Sequence, residues 1–174
     1  MKNTSIQVTA ISIRDIPELQ ELCKTTFCET FAWANSEETL ELYFKNSFSK
    51  KKLEEELSNP ESEFYFAKLN GKAIGYLKVN TGKAQTELKD ENALEIERIY
   101  VLKIFHGKGI GQIPFDKALQ IAKNKSLSYL WLGVWDKNER AVNFYKKNGF
   151  KEFGTHIFMM GDKEQTDLMM KLEF

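Results

Sequence analysis

Apolar residues recur along this chain with two periods, near 3.6 and near 2, and the switches between them set out the elements in order. Residues 5–10 alternate as a short strand, and Ile16, Leu19, Leu22, Cys23, Thr26 and Phe27 then fall on one face of a helix that reaches Phe31. Ser36 has the side chain of an N-cap, Glu37 and Glu38 suit the positive end of the next helix, and Leu40, Tyr43, Phe44 and Phe48 give it one apolar side. A short charged helix from Lys50 to Leu57, read as an extension of the second, stops before Pro60. Residues 63–69 and 73–80 are rich in aromatic and β-branched side chains, and Asn70-Gly71 between them is a strong hairpin signal. The polar run 81–92 reads as an exposed loop. A strand over 94–101, a helix over about 109–124, an apolar strand from Tyr129 to Trp135, a helix over 139–148 and strands over 150–160 and 167–174 follow. The order, βααβββαβαββ, predicts a mixed α/β sheet with helices on both faces.

Composition narrows the setting. With 174 residues and 42% hydrophobic content the chain can bury one sizeable core, and a single domain over 1–174 is expected. Lysine plus arginine equals aspartate plus glutamate at 25 each, so no overall field points to nucleic acid or to an anionic membrane. The lysines of SKKKLEEEL are balanced by their own acids at helical spacing, which makes a nucleic-acid binder the weakest reading. The start MKNTSIQVTA has no long apolar core, and no stretch approaches the roughly 20 apolar residues of a membrane span, so a cytoplasmic protein is expected. Two cysteines, Cys23 and Cys28, suit free thiols in a reducing compartment. With His106 and His156 they form no zinc-like spacing, and no metal is expected.

Two segments carry candidate chemistry. In LEIERIYVLKIFHGKGIG (94–111) a strand runs through a short connection into Gly107, Gly109 and Gly111 at the start of a helix. Such glycines let backbone approach an anion closely, and the helix end supplies unpaired N–H donors with about half a positive charge. A tight strand-to-helix turn without a ligand explains the glycines equally. A Walker loop is not supplied by HGKGIGQ, and the dinucleotide fingerprint would need glycine at Gln112 and a place in the first βα unit. In WLGVWDKNERAVNFYKKNGF (131–150), Asn138 is an N-cap, Ala141, Phe144 and Tyr145 share a face, and Gly149 is the stop.

The first segment resembles the acyl-CoA loop of the GNAT superfamily, Gln/Arg-x-x-Gly-x-Gly/Ala, with His106 in place of the usual Gln or Arg and with Pro114 unexpectedly early in the helix. The second matches the superfamily pattern Asn-x-x-Ala-x-x-Phe-Tyr-x-x-x-Gly-Phe. The resemblance implies the GNAT (acyl-CoA N-acyltransferase) fold, a twisted sheet of about seven strands whose fourth and fifth splay apart, and acetyl-CoA as co-substrate. It further implies that Ile99, Tyr100 and Val101 hydrogen-bond the pantetheine arm. The backbone of His106, Gly107, Lys108, Gly109, Ile110 and Gly111 would hold the pyrophosphate, Asn138 would contact the cofactor, and Tyr145 would point at the thioester sulfur. With TFCETF, IERIYV, WLGVW and FGTHIFMMGDKEQTDLMMKL, the chain is similar over nearly its full length to the PaiA-type bacterial spermidine/spermine N-acetyltransferases.

Acetyl transfer needs a neutral amine, yet an alkylammonium of pKa near 10.4 is deprotonated in only about one molecule in 10³ at pH 7. A base is therefore expected. Alternation along LEIERIYV places Glu95 and Glu97 on one face with Ile99 and Val101. Either glutamate could instead be solvated or ion-paired. Glu97 is favoured as base because the polyamine enzymes carry a carboxylate four residues before the strand's valine. Tyr145 is the candidate acid for the departing thiolate, and the Val101 N–H the candidate for the oxyanion. A polyamine acceptor would draw on carboxylates among Glu29, Glu37, Glu38, Asp162, Glu164 and Asp167. An amino acid, an antibiotic or a protein amine is the alternative acceptor, and a non-catalytic acetyl-CoA sensor the alternative class. The aromatic-rich C-terminal strands could pair with a second copy as a homodimer.

Overall fold

A computed structural model describes residues 5–174; the first four residues of the N-terminal segment, over which no apolar leader is expected, lie outside the described residues. Seven strands form one sheet in the order β1-β2-β3-β4-β5-β7-β6. They are β1 (Gln7–Ala10), β2 (Ser62–Leu69), β3 (Lys72–Asn80), β4 (Ala93–Val101), β5 (Tyr129–Trp135), β6 (Lys151–Met160) and β7 (Lys163–Glu173). The helices are α1 (Ile16–Phe31), α2 (Glu37–Ser47), α3 (Lys50–Leu57), α4 (Gln112–Asn124) and α5 (Glu139–Lys147). All neighbouring strands are antiparallel except β4 and β5.

Two apolar layers cover the sheet. On one face α1, α2 and α3 bury Leu19, Phe27, Phe48 and Leu53 against Phe64, Phe66 and Tyr76. On the other, α4 and α5 bury Phe115, Ala118, Val142 and Tyr145 against Leu77, Leu94, Ile96, Leu130 and Leu132. The third helix is separate from the second: Ser49 caps it by accepting from the Lys52 N–H at 3.2 Å, so the chain re-initiates after Phe48 rather than extending α2. Strand β7 begins at Lys163, four residues before the expected start, because its polar first turn pairs with β6 at the sheet edge, where no apolar alternation is required.

The 81–92 segment is less exposed than its polarity implies. Gln85 is 1% exposed, donates to the Asp90 carbonyl at 2.8 Å and accepts from the Trp131 indole N–H at 2.6 Å. Burying that indole without a partner would cost on the order of 1–3 kcal/mol. The loop is thereby pinned over β5, beside the centre of the sheet.

The candidate active site

Strands β4 and β5 pair only through Ala93, Leu94 and Glu95 with Tyr129, Leu130 and Trp131. Beyond that point β5 stays with β7 along its whole length, through Trp135 opposite Asp167, while β4 stays with β3 through Val101 opposite Gly75. The sheet therefore opens into a wedge, and Ile96–Val101 has no strand neighbour on its β5 side among the described residues. Free N–H and C=O groups on such an edge can receive an extended chain as an added strand.

A cavity of about 960 Å³ occupies the wedge. Its lining reaches both faces of the sheet, with Gly107, Gly109, Gly111, Asn138 and Tyr145 on the α4–α5 side and Glu95, Glu97, Trp131, His156 and Asp167 on the other. A molecule entering beside α4 and one entering beside α1 and α2 would meet between the two strands.

The α4 side is built to hold an anion. After β4 the chain passes through a single 3-10 turn into residues 106–111, with Gly107 at φ 73° and Gly109 at φ 72°, a left-handed backbone that side chains with a Cβ resist. Helix α4 begins at Gln112, three residues later than the periodicity implies, because the glycine turns occupy 107–111. The bonds around this turn run from His106 N–H to Lys103, from Gln112 N–H to Gly109 and from Ile113 N–H to Ile110, leaving five successive amides, 107 to 111, without a backbone acceptor among the described residues. Consecutive free amides opening onto a helix N-terminus form a nest for phosphate oxygens. Pro114 sits within the first turn of α4, where its missing N–H removes a donor that has no intrahelical acceptor, so it leaves the helix intact.

His106 turns away from this nest: its Nε2 lies 2.6 Å from the Val101 carbonyl oxygen, so it must donate there. Burial lowers its pKa from the ordinary value, which keeps the ring neutral and able to act as this donor. It locks the end of β4 to the turn rather than adding charge to the anion site. Asn138 caps α5 by accepting from the Ala141 N–H at 3.3 Å, and it also lines the cavity.

Tyr145 projects from α5 into the wedge and is 7% exposed. Its ring packs against Phe144 and Phe150 with centroids 5.4 and 5.5 Å away, and its hydroxyl has no hydrogen-bond partner among the described residues. Burial, the leading cause, raises its pKa well above that of a free phenol, and the nearby Arg140 offsets this only in part. Tyr145 therefore stays protonated across the physiological range.

On the opposite face the alternation breaks. Lys78 pairs with Arg98 and Val79 with Ile96, so Glu97 is a bulge residue with no partner on β3. Side-chain parity changes there: Leu94, Ile96 and Ile99 all pack toward α4 and α5, whereas Glu97, Arg98 and Tyr100 turn toward α1–α3. The four-residue face of Glu95, Glu97, Ile99 and Val101 that simple alternation implies is thus divided, with Ile99 on the side away from Glu97.

The bulge gives the two glutamates different surroundings. Glu97 is 2.5 Å from the Lys78 ammonium and 3.1 Å from the Arg98 guanidinium, and accepts from Asn80 Nδ2 at 2.6 Å. Both cations also hold Glu56, at 3.1 Å for Lys78 and 2.9 Å for Arg98, so two positive and two negative groups neutralise one another. Burial alone would raise the Glu97 pKa, but Arg98 and Lys78 together bring it below the ordinary carboxylate value. Glu95, 3% exposed, has no ion-pair partner among the described residues. It accepts from Asn80 Nδ2 at 3.0 Å, from the Thr86 N–H at 2.9 Å and from the Thr86 hydroxyl. Burial raises its pKa, and these hydrogen bonds reverse the rise only partly. Asn80 bridges the pair.

Further along the same face, His156 pairs with Glu87, and Asp167, opposite His156 in the β6–β7 register, has its pKa raised to about 6 by burial. Of the six acids expected as acceptor ligands, Asp167 alone lines this cavity. Glu29 instead accepts from the Lys103 N–H at 2.8 Å, and Glu37 sits in the first turn of α2. Sequence reasoning missed Glu87, Thr86 and Gln165, because their approach to β4 depends on the pinned loop and on the β6–β7 register.

The chain belongs to the Acetyltransferase (GNAT) family, whose profile matches residues 20–150. It is an N-acetyltransferase that uses acetyl-CoA. It is 40% identical over 168 residues to an uncharacterized N-acetyltransferase of the pepI 3′ region from Lactobacillus delbrueckii subsp. lactis, covering 97% of both chains. It is also similar to a spermidine N(1)-acetyltransferase of Thermoplasma acidophilum, at 29% identity over 175 residues and 98% of each chain. Among solved structures, a PaiA N-acetyltransferase from Thermoplasma acidophilum in complex with coenzyme A superposes with a TM-score of 0.81 at 28% identity, covering 98% of this chain and 99% of that one. No helix among the described residues is long and apolar enough to cross a membrane.

Proposed function

We propose that the acceptor is a polyamine such as spermidine or spermine, acetylated on a primary amino group. The observation that carries this reading is the two-faced cavity, with a protonated phenol on one side and an excess of carboxylates on the other. The name of the Thermoplasma spermidine acetyltransferase supports the same substrate class. The nest at 107–111 and the open edge of β4 would hold the phosphates and the arm of acetyl-CoA, which supplies an activated acyl carbon.

An ammonium drawn to the carboxylate face gives its proton to Glu95, directly or through water. The sequence resemblance points to Glu97, yet Glu97 is held ionised by Lys78 and Arg98, and a carboxylate of low pKa is a weak proton acceptor. Glu95, with a raised pKa, is better matched to the task, and Glu97 then keeps Asn80 and Arg98 in place around it. The freed lone pair attacks the thioester carbonyl carbon. The C–N bond forms, the adduct nitrogen loses its second proton to solvent, the C–S bond breaks, and Tyr145 gives its proton to the sulfur and is reprotonated. Two protons leave the nitrogen and the sulfur keeps one, so one net proton is released per turnover once Glu95 passes its own to solvent. Charge gathering on the carbonyl oxygen would fall to a free N–H on the β4 edge, for which Val101 is the candidate.

Free thiols at Cys23 and Cys28 suit the reducing cytoplasm, where acetyl-CoA and polyamines are found together. A second copy pairing along the exposed β6 edge would make a homodimer. The test of the substrate reading is release of the CoA thiol in the presence of spermidine, spermine, amino acids and aminoglycosides. Turnover confined to amino acids or aminoglycosides would refute it.

A further inference from the structure

The carboxylates on the acceptor side of the cavity occupy two separated stations, and only the first belongs to the reacting amine. Charge bookkeeping around the first leaves Glu95 without a cation, since Lys78 and Arg98 are matched by Glu56 and Glu97. The second station is on β7. Asp167 lines the cavity, and no cation lies within ion-pair distance of it among the described residues. Beside it, Gln165 lines the same cavity, is 7% exposed, and leaves its Oε1 without a hydrogen-bond donor. A buried amide oxygen in that state costs on the order of 1–3 kcal/mol, so it marks a place where a donor is wanted. Glu87 lines the same cavity, where it is paired with His156. The wall near this station is apolar, formed by Phe158, Trp135 and Met169, and suits a methylene chain better than a second polar group.

We infer that Asp167 and Gln165 form a distal ammonium subsite that selects long polyamines over short diamines and monoamines. The inference rests on the polyamine reading given above. Strand register sets the length. Asp167 is opposite Trp135, whereas Glu95 is level with Trp131, so the two acids are four residues apart along the strands and two strands apart across the sheet. At about 3.3 Å per residue and 4.8 Å per strand, their backbones are roughly 16 Å apart, and the inward reach of both side chains shortens the gap. An extended spermidine spans about 11 Å between its end nitrogens at about 1.25 Å per bond, whereas a four-carbon diamine spans only about 6 Å. A triamine or longer can occupy both stations; the diamine can occupy one.

The test measures the ratio of kcat/KM for spermidine to that for butylamine in the full chain, beside Asp167→Asn, Gln165→Leu and Asp167→Glu. The subsite predicts that the ratio falls at least tenfold in Asp167→Asn, falls less in Gln165→Leu, and recovers in part in Asp167→Glu. Calorimetric titration of spermidine into the CoA-bound protein provides a second readout, with affinity at least tenfold weaker in Asp167→Asn. An unchanged ratio with undiminished spermidine turnover would overturn the subsite and leave the function standing. Spermidine binding that depends on Asp167 without acetylation would overturn the function and leave the subsite. Absence of both binding and turnover would overturn the two together.

Discussion

Replacing Tyr145 by phenylalanine removes one oxygen and its proton from the wedge. The ring contacts with Phe144 and Phe150 do not involve the hydroxyl, which has no protein partner to lose, so thermal stability should change little. A general acid contributes typically 10²–10⁴ in rate. A thiolate is a good leaving group by comparison with an alkoxide, which places the expected loss near the lower end, about 10² in kcat, or about 2.7 kcal/mol of transition-state stabilisation. Because burial raises the Tyr145 pKa, the wild-type rate should show no decline attributable to this phenol as pH rises from 7 to 9. The assay is acceptor-dependent thiol release at saturating acetyl-CoA, run with a melting curve and a CoA titration for each protein. Near-native kcat in Tyr145→Phe, within about threefold, would refute the acid role; a large loss accompanied by a collapsed melting temperature or lost CoA binding would show that the hydroxyl is structural.

The two glutamates should separate by pH and by stability. Glu95→Gln should lower kcat by about 10² or more and abolish the fall in rate on the acid side, since protonation of a raised carboxylate causes that fall. Glu97→Gln leaves Lys78 and Arg98 undercompensated in a buried network, so it should destabilise the fold by about 3 kcal/mol or more while the acid limb survives; the two pH–rate profiles and melting curves decide. Asp167, raised to about 6, is favoured by the fold in its protonated form, so its contribution to stability grows as pH falls from about 6 toward 4 and is adverse at pH 7. The charges that act on it are His156 on β6, Asp136 beyond β5 and Glu87 in the pinned loop. Asp167→Asn should accordingly melt no lower than wild type at pH 7, and spermidine affinity in the wild type should weaken as pH drops through 6. Gly109→Ala forces a Cβ onto φ 72°, at about 1–2 kcal/mol, and should weaken CoA binding in titration by about tenfold through a disturbed amide nest.

Much of this arrangement is legible in residue order. Asn70-Gly71, the apolar run of β5 and the cap-to-stop pattern from Asn138 to Gly149 are local signals, and each appears where its chemistry requires. The glycines at 107 and 109 mark a tight strand-to-helix turn in the sequence, but its left-handed backbone and its extent to 111, which delays the helix to Gln112, appear only in the fold. What alternation could not convey is the β-bulge. An unpaired Glu97 depends on how β3 meets β4, and it reverses side-chain parity from Arg98 onward, so Ile99 faces away from the acid meant to share its side. The same limit applies to His106, whose ring finds a carbonyl five residues back only because the turn folds over the end of β4. Gln85, Gln165 and Thr86 carry no local signature at all: their partners or the cavity they line are brought to them by the indole of Trp131, the β6–β7 register and the buried carboxylate of Glu95.

The most direct test of the central claim is simultaneous quantification, by mass spectrometry and thiol titration, of acetylated spermidine and released CoA during turnover. The account predicts one acetyl group added to a terminal nitrogen of spermidine for each thiol released, with kcat/KM well above that for butylamine. Release of CoA without acetylspermidine, or tight binding of acetyl-CoA with no turnover on any polyamine, would contradict it.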